Sequence, residues 1–285
     1  MSAVIEARGL SKRYKQKQAL VDVNFTVGEG RIVGLIGRNG AGKTTALKAV
    51  LGLTPYDGSL TVLNRDPSRE REQMLQSVSF IADVAVLPKW LKVRNAIEYV
   101  AGVHPGFQRE RAEKFLASTD VRMDHKVREL SKGMVTQLHL ALVMAIRAKL
   151  LVLDEPTLGL DLLVRRNFYD TLLNDYMDEG RTILVTTHQV EEIEHILTDV
   201  LFIEQGQIVL DSAIDELGDR FAQVFVKPDQ LPAARALKPF HERSVLGRTV
   251  LFFDGVPRES LEPLGEVGTP GVADLFVARM LKEVA

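Results

Sequence analysis

The stretch that most constrains this chain is Gly37-Arg38-Asn39-Gly40-Ala41-Gly42-Lys43-Thr44-Thr45, which fits the pattern G-x-x-x-x-G-K-[ST]. The apolar run at residues 31–36 predicts a buried strand before it, and residues 45–51 predict the start of a helix after it. A tri- or tetra-anion needs many N–H donors converging on it. Gly37, Gly40 and Gly42 let the backbone turn tightly and approach closely, and the helix N-terminus adds partial positive charge. Asn39, Ala41 and Thr45 complete the cradle. Lys43 places a compact cation on the β- and γ-phosphates, and the Thr44 hydroxyl is a ligand for Mg²⁺. The stretch reads as a nucleotide-phosphate cradle.

A chain of 285 residues, 46% apolar and 26% charged, has globular composition and enough length for one large domain or two unequal ones. The net charge of −2 argues against a surface built for nucleic acid, and none is expected as a partner. With no cysteine, disulfides, thiol catalysis and thiolate metal sites are excluded. No signal-peptide core opens the chain, and no apolar run approaches the roughly 18 residues of a spanning helix. The expectation is a soluble, cytoplasmic protein that reaches a membrane only through another protein.

Along the chain, residues 3–7 and 19–27 alternate as strands, with Tyr14 in the polar, basic stretch between them. An aromatic ring there has no core to join and can stack on a base. Turn residues at 52–58 lead into a strand at 59–63. Residues 69–77 read as a polar helix, and a strand at 78–82 runs into Asp83. From 93 to about 116 the pattern is helical, broken around His104-Pro105-Gly106, which suggests an inserted helical subdomain. Ser131 then stands as the N-cap of an amphipathic helix carrying Met134, Leu138, Ala141, Leu142 and Ala145.

Four apolar residues, 150–153, end in Asp154 and Glu155. A buried parallel strand delivering two carboxylates beside a phosphate loop suits a metal site, since burying both without a cation is costly. Asp154 can organise Mg²⁺, and Glu155 can orient and deprotonate a water. A helix is predicted at 162–178, then a strand at 182–187 ending on His188, at the strand edge where parallel sheets bind ligands. A helix over 189–197 and a hairpin of 201–204 with 207–210 follow. Further on, 222–226 and 248–253 read as strands and 272–281 as an amphipathic helix.

In this order the pieces resemble the ATP-binding cassette (ABC) ATPase family over residues 3 to about 217. They are the aromatic residue Tyr14, the Walker A loop, the signature at 130–134, Walker B with Glu155, the D-loop residues Leu160 and Asp161, and the switch His188. The resemblance implies an α/β fold: a P-loop NTPase core sheet with an antiparallel β subdomain and an inserted helical subdomain at about 84–149. It further implies a small C-terminal α+β accessory domain at 218–285. It implies ATP and Mg²⁺ as cofactors, with Tyr14 on adenine and residues 37–45 on the phosphates. Thr44 and Asp154 would hold the metal, Glu155 would be the general base, and His188 would contact the γ-phosphate. Ser131 and Gly133 would cap the γ-phosphate of a facing subunit, so that hydrolysis requires a head-to-tail dimer, with itself or a paralogous ATPase.

Three departures from the family pattern stand out: Lys132 and Met134 within the signature, and Asp83 where a Q-loop glutamine is expected. The signature form is similar to that of bacterial exporter ATPases. It implies the motor subunit of an exporter, peripheral at the inner membrane face through a separate membrane-spanning subunit, with Trp90 and Leu91 as contact or core residues. The alternatives are a soluble ABC ATPase, disfavoured by a single phosphate loop and no sustained heptads, and a non-catalytic scaffold, disfavoured by Glu155 and His188.

Overall fold

The structure is a computed structural model that describes residues 2–81, 87–158, 160, 162–173 and 180–280. Asp83 and Asp161 lie outside the described residues. The chain opens with β1 (Ala3–Tyr14) and β2 (Lys17–Gly28), then β3 (Ile32–Ile36), α1 (Lys43–Val50), β4 (Asp57–Val62), α2 (Arg71–Leu75) and β5 (Val78–Ile81). The helices α3 (Val93–Val103), α4 (Arg109–Ala117) and α5 (Lys132–Met144) follow, then β6 (Leu150–Asp154), α6 (Leu162–Thr171), β7 (Thr182–Thr187), β8 (Asp199–Glu204) and β9 (Gln207–Ala213). The remainder is α7 (Ile214–Arg220), β10 (Phe221–Val226), α8 (Leu231–Ala236), β11 (His241–Val245), β12 (Arg248–Asp254), α9 (Arg258–Leu261), β13 (Gly265–Gly268) and α10 (Val272–Met280).

The main sheet runs β5-β6-β7-β3-β8-β9, parallel except for β9, which returns antiparallel from β8. Strands β3, β6 and β7 are buried along their whole length, which is why they read as continuous apolar runs. A separate antiparallel sheet, β2-β1-β4, packs its apolar side with α1 into one core cluster. Here β1 runs on through residues 11–14 to a two-residue connection, with Tyr14 opposite Lys17. The polar stretch around Tyr14 is therefore mostly strand, because pairing with β2 satisfies its backbone without apolar side chains.

The helical insertion has its own core, in which Val93, Ile97, Leu116, Leu138 and Leu142 are buried. Helix α5 belongs to two cores at once: Leu138, Ala141, Leu142 and Ala145 face the insertion, while Leu140 and Met144 face the sheet. The C-terminal half of α5 is therefore held by packing on both sides, while its N-cap Ser131 is exposed. The predicted helix at 189–197 is instead two short 3₁₀ turns, Val190–Glu192 and Glu194–Ile196. The buried residues Val190, Ile193 and Ile196 recur every third position, which matches three residues per turn rather than 3.6. The polar helix of 69–77 is trimmed to α2, while α1 begins two residues earlier than expected.

After α7 the chain forms a β-α-β-β-α-β unit whose sheet order is β11-β12-β10-β13, every neighbour antiparallel, the ferredoxin-like arrangement. One face packs on α8 and α9. The other meets α10, whose Val272 and Leu275 join the core of the main sheet, with Phe276 edge-on to Phe202 at 5.4 Å. The β11–β12 turn is Leu246-Gly247, both at positive φ (49° and 77°), and Leu246 is fully exposed. Such a turn favours Asn-Gly, and a leucine held left-handed costs about 1–2 kcal/mol. Leu246→Asn is expected to raise stability by about 0.5–1 kcal/mol, read as a higher urea midpoint at unchanged slope. An unchanged or lower midpoint would show that the turn carries no strain.

Candidate nucleotide site

Three adjacent strands bring the chemistry to one edge of the sheet. In the parallel registers Ile36 pairs with Thr187 and Asp154 with Thr186, so Gly37 and His188 leave their strands at one level and Glu155 within one residue of it. Two glycines of the loop have no substitute. A Cβ at Gly42, where φ is +118°, would lie 2.7 Å from the Ala19 carbonyl, and one at Gly37 would lie 2.5 Å from the Ile203 carbonyl. The loop is wedged against β2 and β8.

Lys43 is 6% exposed; its Nζ donates to the Gly37 carbonyl at 2.6 Å and pairs with Glu155 Oε1 at 3.2 Å. The other Glu155 oxygen, Oε2, lies 2.9 Å from His188 Nδ1. Lys43, Glu155 and His188 therefore form one continuous polar chain across the mouth of the phosphate loop. Glu155 sits in the left-handed region, φ 47°, a conformation that costs about 1–3 kcal/mol in a non-glycine residue. Its N–H holds it there, donating to both the carbonyl and the hydroxyl of Thr186.

Asp154, 4% exposed, accepts through Oδ1 from the Thr186 hydroxyl at 2.6 Å and from Thr44 at 3.4 Å. Thr44 and Asp154 together present hard oxygen donors, but among the described residues no group of three acidic or histidine side chains could hold a metal alone. That donor set fits a Mg²⁺ that arrives with its nucleotide and completes its shell with phosphate oxygens and water.

These groups open into a cleft of about 560 Å³ lined by the loop together with Tyr14, Lys17, Arg38, Glu155, Leu158 and His188. Tyr14 is half-exposed, its hydroxyl 3.3 Å from that of Thr54 and the Lys12 ammonium 5.0 Å from its ring centre. A second cleft of about 600 Å³ lies between α4, α5 and α6 and shares no lining residue with the first. The first, with its phosphate loop and converging charges, is where the chemistry lies. Asn39, Gly40 and Thr45 also line it, while Ala41, within the loop, is buried.

Ser131 and Gly133 do not line this cleft. Ser131 is exposed at the start of α5, its hydroxyl accepting from the Met134 N–H at 3.2 Å, and the space a Cβ of Gly133 would take is open. Trp90 is exposed, whereas Leu91 packs on the helical core. Sequence reasoning missed Lys17 and Thr186, which are placed by register across strands, a relation no local pattern carries.

The family model described as "ABC transporter" matches residues 20–158, and one described as "AAA domain, putative AbiEii toxin, Type IV TA system" matches 124–194. The Nod factor export ATP-binding protein I of Burkholderia thailandensis is 34% identical over 263 residues, 88% of this chain and 85% of that protein. Its namesake in Cupriavidus metallidurans is 32% identical over 100% of this chain and 96% of its own length. Daunorubicin resistance ATP-binding protein DrrA2 of Streptomyces coeruleorubidus is 32% identical over 80% of this chain and 74% of its own. Among solved structures, an ATP-binding subunit of an ABC transporter superposes with TM-score 0.68 at 25% identity, covering 75% of this chain and 91% of that one. The phosphate loop, the paired acids and these likenesses agree: the chain belongs to the ABC transporter family, as an ATP-binding subunit and an ABC ATPase.

Proposed function

We propose that this chain is the motor subunit of an exporter, in which ATP closes a head-to-tail dimer and hydrolysis reopens it against a separate membrane-spanning partner. The observation that carries the reading is the Lys43–Glu155–His188 chain inside the cleft, with Ser131 exposed and Gly133 half-buried outside it. A triphosphate seated on the loop is served on one side only, and a second copy, or a paralogous ATPase, can bring the serine-tipped helix to the other. Export is supported by relatives named for Nod factor export and for drug resistance. Among the described residues no helix is long and apolar enough to cross a membrane, so the partner supplies the passage and holds this chain at the inner face. Residues 1–217, with the helical part at about 84–149, form the motor, and 218–285 the accessory domain.

In this reading Tyr14 stacks on adenine and residues 37–45 bind the phosphates. The incoming phosphate competes with Glu155 for Lys43, and Glu155 Oε1 is thereby released to take a proton from the attacking water. His188, with Nδ1 on Glu155, has Nε2 left for the γ-phosphate. Thr44 and Asp154 would hold a Mg²⁺, which would supply charge neutralisation for the phosphates. Ser131 and Gly133 complete the site in trans. The resemblance alone supports Asp83 as the Q-loop residue.

The purified chain is expected to hydrolyse ATP at a rate that rises more than linearly with its own concentration, until dimers saturate. A strictly linear rate from a protein shown to be monomeric by sedimentation would defeat the shared site.

A further inference from the structure

The C-terminal unit touches the segment directly after His188. That segment is weakly self-supporting: its two 3₁₀ turns are closed by Ile193 N–H to the Val190 carbonyl and Ile196 N–H to the Ile193 carbonyl, each 3.0 Å. Its position is set by what packs on it. On the outer side is α10, whose Val272 and Leu275 share a buried cluster with Val190, Ile193 and Ile196. At the start of α10 the Ala273 N–H donates to Glu194 Oε2 at 3.3 Å, so a carboxylate of the segment meets the positive end of the helix.

On the inner side, Glu192 pairs with Arg165 of α6. Arg165 also donates from Nε to the Leu160 carbonyl at 2.7 Å and from Nη1 to Gln189 Oε1 at 3.4 Å. Helix α6 holds the same loop a second time, through the Tyr169 hydroxyl 3.1 Å from that of Thr157, both buried. The 190–196 segment is thus tied outward to α10, backward to His188, and through Arg165 to the loop that follows Glu155. A mostly buried ion pair is a poor source of stability, but it admits one arrangement of the parts it joins.

We propose that the C-terminal unit positions the hydrolytic pair: α10, through Glu194, seats the 190–196 segment, and that segment sets His188 and, by way of Glu192 and Arg165, the loop after Glu155. Glu194 and Arg165 are positioning residues that touch neither nucleotide nor water. The inference rests on the reading of Glu155 and His188 as the pair that activates water. It gives the C-terminal unit a task in turnover rather than in stability alone.

The test uses the full chain carrying Glu194→Ala, Glu194→Gln or Arg165→Lys, with ATP affinity, kcat and Tm measured for each. Displacement of the pair is expected to lower kcat of Glu194→Ala about tenfold to hundredfold, with ATP affinity kept within about twofold. Glu194→Gln keeps an acceptor for the Ala273 N–H and is expected to retain most of the rate. Arg165→Lys cannot serve Glu192, Leu160 and Gln189 together, and is expected to lose rate as Glu194→Ala does. A wild-type rate in Glu194→Ala, or a loss that only follows the folded fraction, overturns the proposal. So does a loss that Glu194→Gln shares in full. A Glu155→Gln variant run alongside separates the two levels: if it too turns over normally, the underlying reading fails; if it is inactive while Glu194→Ala is normal, only this proposal fails.

Discussion

Glu155→Gln is expected to lower ATP turnover by about 10²–10⁴-fold, the loss that follows removal of a positioned general base. The amide is nearly isosteric with the carboxylate, so it can occupy the same left-handed backbone position and remain within reach of His188 Nδ1, now 2.9 Å from the carboxylate. What it loses is charge. In the proposed cycle the phosphate displaces Glu155 from Lys43, a contact of 3.2 Å between side chains that are 6% and 12% exposed. With a neutral amide there is no competing anion, so ATP is expected to bind severalfold more tightly while hydrolysis fails. A closed, ATP-loaded dimer should accumulate and be visible by size-exclusion chromatography in the presence of ATP and Mg²⁺. Equal turnover in variant and native protein would remove Glu155 from its role. Unchanged affinity with lost turnover would show instead that the Lys43–Glu155 contact does not gate the phosphate.

Much of the nucleotide cleft is legible in the sequence because contiguous motifs carry it. Gly37 to Thr45, Asp154 with Glu155, and His188 each sit at the end of an apolar run, and in a parallel sheet such ends meet at one edge. The contacts that tune those groups are less legible. Thr186 reaches Asp154 and the Glu155 N–H because of the register of β6 on β7, and Lys17 reaches the cleft because it stands opposite Tyr14 in the hairpin. A register is a relation between two segments, and a single window of sequence does not contain it.

The same reason accounts for the C-terminal unit. Strands β10 and β12 carry their own apolar residues and announce themselves, whereas β11, His241-Glu242-Arg243-Ser244-Val245, and β13, Gly265-Glu266-Val267-Gly268, are extended chiefly because a neighbour pairs with them. Without these two edges the ferredoxin-like order cannot be assembled from the pattern. The turns after His188 show a different failure. A helix is expected over 189–197, although the three-residue recurrence of Val190, Ile193 and Ile196 favours 3₁₀ geometry. That short segment is where the C-terminal unit meets the site.

The strongest test of the shared site is complementation between two inactive chains. Lys43→Ala removes the cation of the phosphate loop but leaves α5 untouched. Gly133→Asp does the reverse: the space beside Gly133 is open, the nearest atom to an added Cβ being Ser131 Oγ at 3.9 Å, so the fold accepts the side chain. In the closed dimer it brings a carboxylate to the partner's γ-phosphate. Two like charges about 4 Å apart at an effective dielectric of 20 repel by about 4 kcal/mol, enough to suppress closure about 10³-fold. Each variant alone is therefore expected to be inactive, Lys43→Ala through weak binding and Gly133→Asp with ATP bound but not hydrolysed. In a mixed dimer the loop of the Gly133→Asp chain faces the intact helix tip of the Lys43→Ala chain, so one of the two sites is whole. With equal amounts and random pairing, about a quarter of the native sites are restored, because a twofold dimer builds each site from both copies. Recovery of activity on mixing is the expected result, measured at a protein concentration where the native chain is dimeric. If mixed dimers form, shown by tagging one variant and recovering the other, and the rate stays at the sum of the separate variants, each site is made by one chain and the trans role of Ser131 and Gly133 is lost.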